Sequence, residues 1–205
     1  MRRFLRWLLG VRRDPIYWLP WMGTTTLLLT RIESRFRPAG ECPTIRVQTY
    51  DRAGRPYEWW ELTLFDNAIL ESRFGTPGVI DYGLATVSGF TEPADVIATY
   101  GEDGYCATHG RGEFIEVYPW WSRWLLWFGI PAHRRTQSVF PGMSLLVVNL
   151  SNVPNTIRAG RERFTLPPRG ARRLTPKAEG RIELSASAWF GYYVIGGDRS
   201  VQHVK

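Results

Sequence analysis

Lysine is almost missing from this chain. Only Lys177 and Lys205 occur in 205 residues, so 24 of the 26 basic side chains are arginine. A GC-rich coding sequence produces such a skew; so does a use for planar, bidentate contacts with phosphate or carboxylate. The stretches AGRERF and VIGGDRS lack the lysine or helix start that a phosphate-binding glycine loop uses. Cysteine is scarce as well. Cys42 and Cys106 stand 64 positions apart with no CxxC spacing, which argues against a disulfide framework and for two thiols in a reducing compartment. Histidine occurs three times, and CATHGRGE, with Cys106, His109 and Glu113, is the nearest approach to a catalytic cluster. On an extended strand Cys106 and His109 would fall on opposite faces. A zinc site would also need ligands such as Cys42 and His133, which no spacing supports. Glu102 and Asp103 read as solvated turn residues, because the alternating oxygen ligands of a calcium loop are missing. No cofactor, metal or small-molecule substrate is therefore expected, and a Cys/His-dependent enzyme is a minor alternative.

Long apolar runs are also absent. A spanning helix needs roughly 20 consecutive apolar residues, and the nearest candidate, Ile16 to Leu29, is interrupted by Pro20 and by Thr24, Thr25 and Thr26. The short run Trp7 to Val11 stops at Arg12 and Arg13 without the small-residue site of a cleavable signal peptide.

What is abundant is tryptophan, with ten residues, and a charge that is unevenly spread. Residues 1–37 carry eight basic and two acidic side chains, residues 38–130 six and thirteen, and residues 131–205 twelve and four. Both ends are basic and the middle is acidic. The opening MRRFLRWLLGVRRDP, wound at about 100 degrees per residue, gathers Phe4, Trp7, Leu8 and Val11 on one face and sets Arg2, Arg3, Arg6 and Arg13 away from it. That pattern predicts a basic amphipathic helix ended by Pro15, of the kind that lies among anionic headgroups.

The second aromatic segment is YPWWSRWLLWFGIPAHRR, residues 118–135. A helical reading places Trp120, Trp121, Trp124, Leu125, Trp127 and Phe128 on one arc of about 160 degrees, with Arg134 and Arg135 following. Tryptophan suits a bilayer interface, where an apolar ring and an N–H both find partners. The same ring suits a protein interface, or a core helix covering an open sheet.

The rest of the chain reads as strands. TIRVQTY, DRAGRP and YEWWELTLF form a hairpin pattern. VIDYGLATVSGF, VIATY, YCATH and EFIEVYP suggest a meander, and SLLVVNLS, NTIRAG, RERFTL, ARRLT, RIELSASAWF and GYYVIGG continue the β pattern. FDNAILESRF is a possible helix. The expectation is a mainly β chain, a sandwich or barrel of about a dozen short antiparallel strands. Its parts would be a basic arm (1–22), a β-rich portion (23–118), the tryptophan-rich interfacial segment (119–137) and a C-terminal β-sandwich portion (138–205).

Function is expected to be non-catalytic. The chain reads as a peripheral subunit on the cytoplasmic face of a membrane, docking on and stabilising a larger integral membrane complex, for instance a photosynthetic or respiratory one, and touching anionic lipid. A virus or phage capsid or tail protein is the main alternative, since a basic arm ahead of a β-sandwich would suit that role too. Nucleic acid is disfavoured: no RNP-like, KH-like or zinc-finger spacing occurs, and the acidic middle would repel phosphate.

Overall fold

The computed structural model describes residues 10–31, 42–64, 67–73, 82–90, 94–100, 106–128, 133–177, 179–196 and 201–202. The chain is mainly β, in four antiparallel sheets. Sheet A runs in the order β4 (Pro56–Thr63), β3 (Thr44–Asp51), β6 (Tyr82–Ser88), β1 (Arg12–Met22), β9 (Arg111–Val117). Sheet B is β5 (Asn67–Arg73), β2 (Thr24–Arg31), β7 (Ala94–Tyr100), β8 (Cys106–His109). Sheet C is β10 (His133–Val139), β15 (Gly180–Ala186), β12 (Asn155–Ala159), β13 (Glu162–Leu166). Sheet D is β14 (Ala171–Leu174), β11 (Ser144–Asn149), β16 (Phe190–Ile195), β17 (Val201–Gln202).

Several expectations change. The amphipathic helix does not run to Pro15, because Arg12, Arg13 and Asp14 already belong to β1 and pair with Val117, Glu116 and Ile115 of β9. Arg2, Arg3, Phe4, Arg6, Trp7 and Leu8 lie outside the described residues. β1 tolerates two prolines because its partners are staggered. β9 covers residues 12–18 and β6 covers 17–22, so Pro15 and Pro20 each have a neighbour on one side only. FDNAILESRF is not helical: Asn67–Arg73 pairs along β2 as an edge strand. The proposed meander is broken up as well, since β6 joins β1 and β3 while β7 joins β2 and β8. Hairpins β3–β4 and β12–β13 form as their turn residues suggest. Among the described residues the only helix is a 3₁₀ helix, Trp120–Phe128.

Two apolar clusters organise the packing. One joins Trp18, Leu19 and Trp21 of β1 with Leu27, Leu29, Ile45, Val47, Leu84, Val87 and Val96, and reaches Leu146, Val148, Tyr193 and Ile195 of sheet D. The other joins Leu145, Val147, Tyr192 and Val194 of sheet D with Ile157, Phe164 and Leu184 of sheet C. Alternate residues of β11 and β16 thus serve different cores, which is why SLLVVN and FGYYVI are buried along their whole lengths. Trp18 sits at the crossing. Its ring packs edge-on against Tyr193 at 4.8 Å and lies so close on Gly191 that a Cβ there would enter the indole. The Tyr193 hydroxyl donates toward the carbonyls of Trp18 and His109 at 3.2 and 3.0 Å, and burial pushes its pKa up.

Candidate docking surface

The chain enters the tryptophan segment from β9, and that entry is pinned. The Glu116 amide donates to Leu150 O at 3.0 Å and its carbonyl accepts from the Asn152 amide at 3.1 Å. Two residues further, the Tyr118 amide donates to Asn152 Oδ1 at 2.8 Å and the Asn152 side-chain amide donates back to Tyr118 O at 3.1 Å. Pro119 then opens the 3₁₀ helix. Ser122 bonds back to the Pro119 carbonyl through both its amide (3.0 Å) and its hydroxyl (3.1 Å), and it is fully buried.

Ser122 turns inward, and Leu126 packs against Tyr118, Val153 and Ala188. The tryptophans stay outside: Trp120, Trp121 and Trp124 are 81%, 43% and 54% exposed. None of the three belongs to an apolar core cluster of the described residues. Trp127 and Phe128 belong to the same helix, but their side chains lie outside the described residues.

The two aromatic, arginine-flanked segments meet here. The Trp121 ring lies over Gly10, 3.2 Å from where a Cβ would stand, and Gly10 has a φ of +64°. Val11 packs on the same small cluster as Leu126. Gly10 and Val11 thus lie beside the tryptophan helix.

Beneath this surface lies a charged and aromatic cluster. The Glu116 carboxylate is fully buried and accepts from the Tyr118 hydroxyl at 2.7 Å and the Trp189 amide at 3.0 Å. Arg13 and His133 approach it at 3.6 and 3.7 Å. Glu113 takes the Trp189 indole N–H at 2.9 Å and pairs with Arg111 at 2.7 Å and Arg135 at 3.5 Å. Arg13 lies over the Phe114 ring, Phe114 stacks on Trp189, and Arg135 covers the Trp189 ring. A buried carboxylate is tolerable only with such partners. Of the sequence-predicted interface arginines, Arg13 and Arg135 therefore spend much of their charge internally, while Arg134 is exposed.

Sequence reasoning missed the clamp around Glu116 and Asn152. Its signal was faint: an acidic residue at a strand end, two before a tyrosine. The CATH stretch forms β8, where His109 is exposed, and the Cys106 side chain lies outside the described residues. Among the described residues no three His, Cys, Asp or Glu side chains gather as a metal site, and no helix is long and apolar enough to cross a membrane. No family model, curated protein or solved structure matches the chain.

Proposed function

We propose that this chain is a non-catalytic peripheral subunit on the cytoplasmic face of a membrane, where it docks on a larger integral membrane complex and stabilises it. The observation that carries this reading is the trio Trp120, Trp121 and Trp124. Three indoles on one short helix are 43–81% exposed, and the entry to that helix is fixed by hydrogen bonds. Clustered exposed apolar surface on a firmly held element is characteristic of an interface, and tryptophan is the residue type that most often anchors one. Its ring and N–H also match the headgroup region of a bilayer. The β body, read as stacked sandwiches sharing sheet D, supplies a base for the helix, and Gly10 and Val11, which end the basic and aromatic N-terminal stretch of the sequence, lie at the same place.

The test is purification of the tagged full chain from its native membranes in mild detergent. A stoichiometric integral membrane complex should accompany the wild type and be lost from a Trp121→Ala/Trp124→Ala variant that remains folded. A chain that stays in the aqueous fraction, or that builds regular particles or tubes without lipid, would contradict the reading, the latter in favour of a virus or phage structural protein.

A further inference from the structure

Sheet C carries a feature that the aromatic patch does not use. Strand register aligns Arg134 of β10 with Ser185 of β15, Ser185 with Arg158 of β12, and Arg158 with Arg163 of β13. One row thus crosses all four strands, and three of its four positions are arginine. It lies on the outer face, because the flanking residues Ile157, Phe164, Leu184 and Ala186 turn into the core. Arg134, Arg158 and Arg163 are exposed, as is Arg181 on the same face of β15. Adjacent strands lie about 4.8 Å apart, so Arg158 and Arg163 stand directly opposite one another.

Like charges in that position weaken a sheet. Arg13, Arg111 and Arg135, by contrast, each reach a buried glutamate side chain. Here Arg134 has, among the described residues, only Glu183 at 3.9 Å, both side chains being well exposed. Among the described residues no carboxylate pairs with Arg158, Arg163 or Arg181. Register lines these arginines up in one row, whose mutual repulsion an external anion would relieve, and the planar fork suits phosphate.

We propose that this face of sheet C is a docking surface for anionic phospholipid headgroups, with Arg158 and Arg163 as its central pair. This rests on the reading that the chain sits at a membrane surface. Lipid is favoured over a nucleic acid strand for two reasons. The position between the arginines is filled by Ser185, whereas single-strand binding needs aromatic rings interleaved with the positive charge. The row also begins at Arg134, the second residue of β10, and His133 beside it packs on Trp189 and Glu116 beneath the tryptophan helix. Basic and aromatic groups thus lie at the same end of the sheet, a combination that a headgroup layer satisfies.

Vesicle binding by the full chain tests this, using phosphatidylcholine alone and phosphatidylcholine mixed with phosphatidylglycerol. Arg158→Gln/Arg163→Gln should lose roughly thirtyfold in affinity for the mixed vesicles at low salt. It should bind neutral vesicles as the wild type does and melt no earlier, since a like-charge pair has been removed. Arg158→Lys/Arg163→Lys should retain most of the affinity. Trp121→Ala/Trp124→Ala should weaken binding to both vesicle types. If the glutamine variant binds mixed vesicles as tightly as the wild type while the alanine variant does not, the arginine face is refuted and the aromatic docking stands. If only the arginine changes matter, the aromatic reading fails and this one survives. Wild-type protein that ignores both vesicles overturns the lipid assignment, and if it binds single-stranded DNA through Arg158 and Arg163, the face is a nucleic-acid site.

Discussion

Trp121 rests on Gly10, with no room between them for a relaxed side chain. Gly10 also holds a left-handed φ of +64°, which a residue with a Cβ adopts only with strain. Gly10→Ala should therefore loosen the chain at residues 10 and 11 from the tryptophan helix while leaving the sheets intact. The expected cost is about 1 kcal/mol in thermal or urea unfolding, together with faster proteolysis near residue 10. An unaltered protease pattern would show that this contact does not hold the segment.

The buried and exposed tryptophans should behave as different classes. Trp18→Ala removes a ring at the crossing of the sheets and should cost roughly 3–5 kcal/mol, enough to threaten an ordinary domain. Gly191→Ala should also destabilise the protein, because the added methyl would occupy the Trp18 ring's place. Trp121→Ala/Trp124→Ala should cost less than about 1 kcal/mol, in the range of surface substitutions. Chemical denaturation of the variants side by side checks all three.

Glu116→Gln keeps the shape of the side chain but removes the charge facing Arg13 and His133. The Tyr118 hydroxyl and Trp189 amide can still donate to the remaining amide oxygen, so a loss of about 1–3 kcal/mol is expected rather than complete unfolding. Because this carboxylate secures the entry to the tryptophan helix, hydrogen exchange at Tyr118 and Ser122 should quicken. Unchanged exchange would separate the helix from the clamp.

The turn of the β3–β4 hairpin should respond to acid. Burial alone would raise the Asp51 pKa, but hydrogen bonds from the Arg55 amide and guanidinium outweigh it and hold the pKa below the usual carboxylate range. A depressed folded pKa stabilises the protein above the unfolded value of about 3.9. That contribution disappears as pH falls through the lower, folded pKa. Asp51→Asn should thus be less stable than the wild type at neutral pH, and the difference should shrink below about pH 4. Parallel melting curves across that range provide the check, and a gap independent of pH would contradict the assignment.

Much of the β character was legible because strand alternation and turn chemistry are local: TIRVQTY, DRAGRP and YEWWELTLF form a hairpin close to the one their pattern implies. Strand partners were not legible. β1 pairs with β6 and β9, both distant in sequence, and nothing local in its residues specifies them. The N-terminal pattern misled at its end, because Arg13 fits the basic face of a helix, while pairing with β9 and the Glu116 contact favour a strand. FDNAILESRF failed for a similar reason, an apparent helix period overridden by pairing along β2. At the docking surface, the tryptophans were visible at once, but their exposure depends on Ser122 and Leu126 being the residues that turn inward, which no local pattern specifies. The arginine row on sheet C was hidden because Arg134, Arg158 and Arg163 come from separate strands brought into line only by register.

The decisive measurement is tryptophan fluorescence of the full chain titrated with vesicles containing anionic lipid, repeated in vesicles whose acyl chains carry a bromine quencher. If Trp120, Trp121 and Trp124 enter the membrane interface, the wild-type emission should shift to shorter wavelength and be quenched by the brominated lipid. Trp121→Ala/Trp124→Ala, still folded, should lose most of both effects. Wild-type emission that neither shifts nor is quenched, with a double variant that unfolds, would contradict a membrane-facing role for these residues.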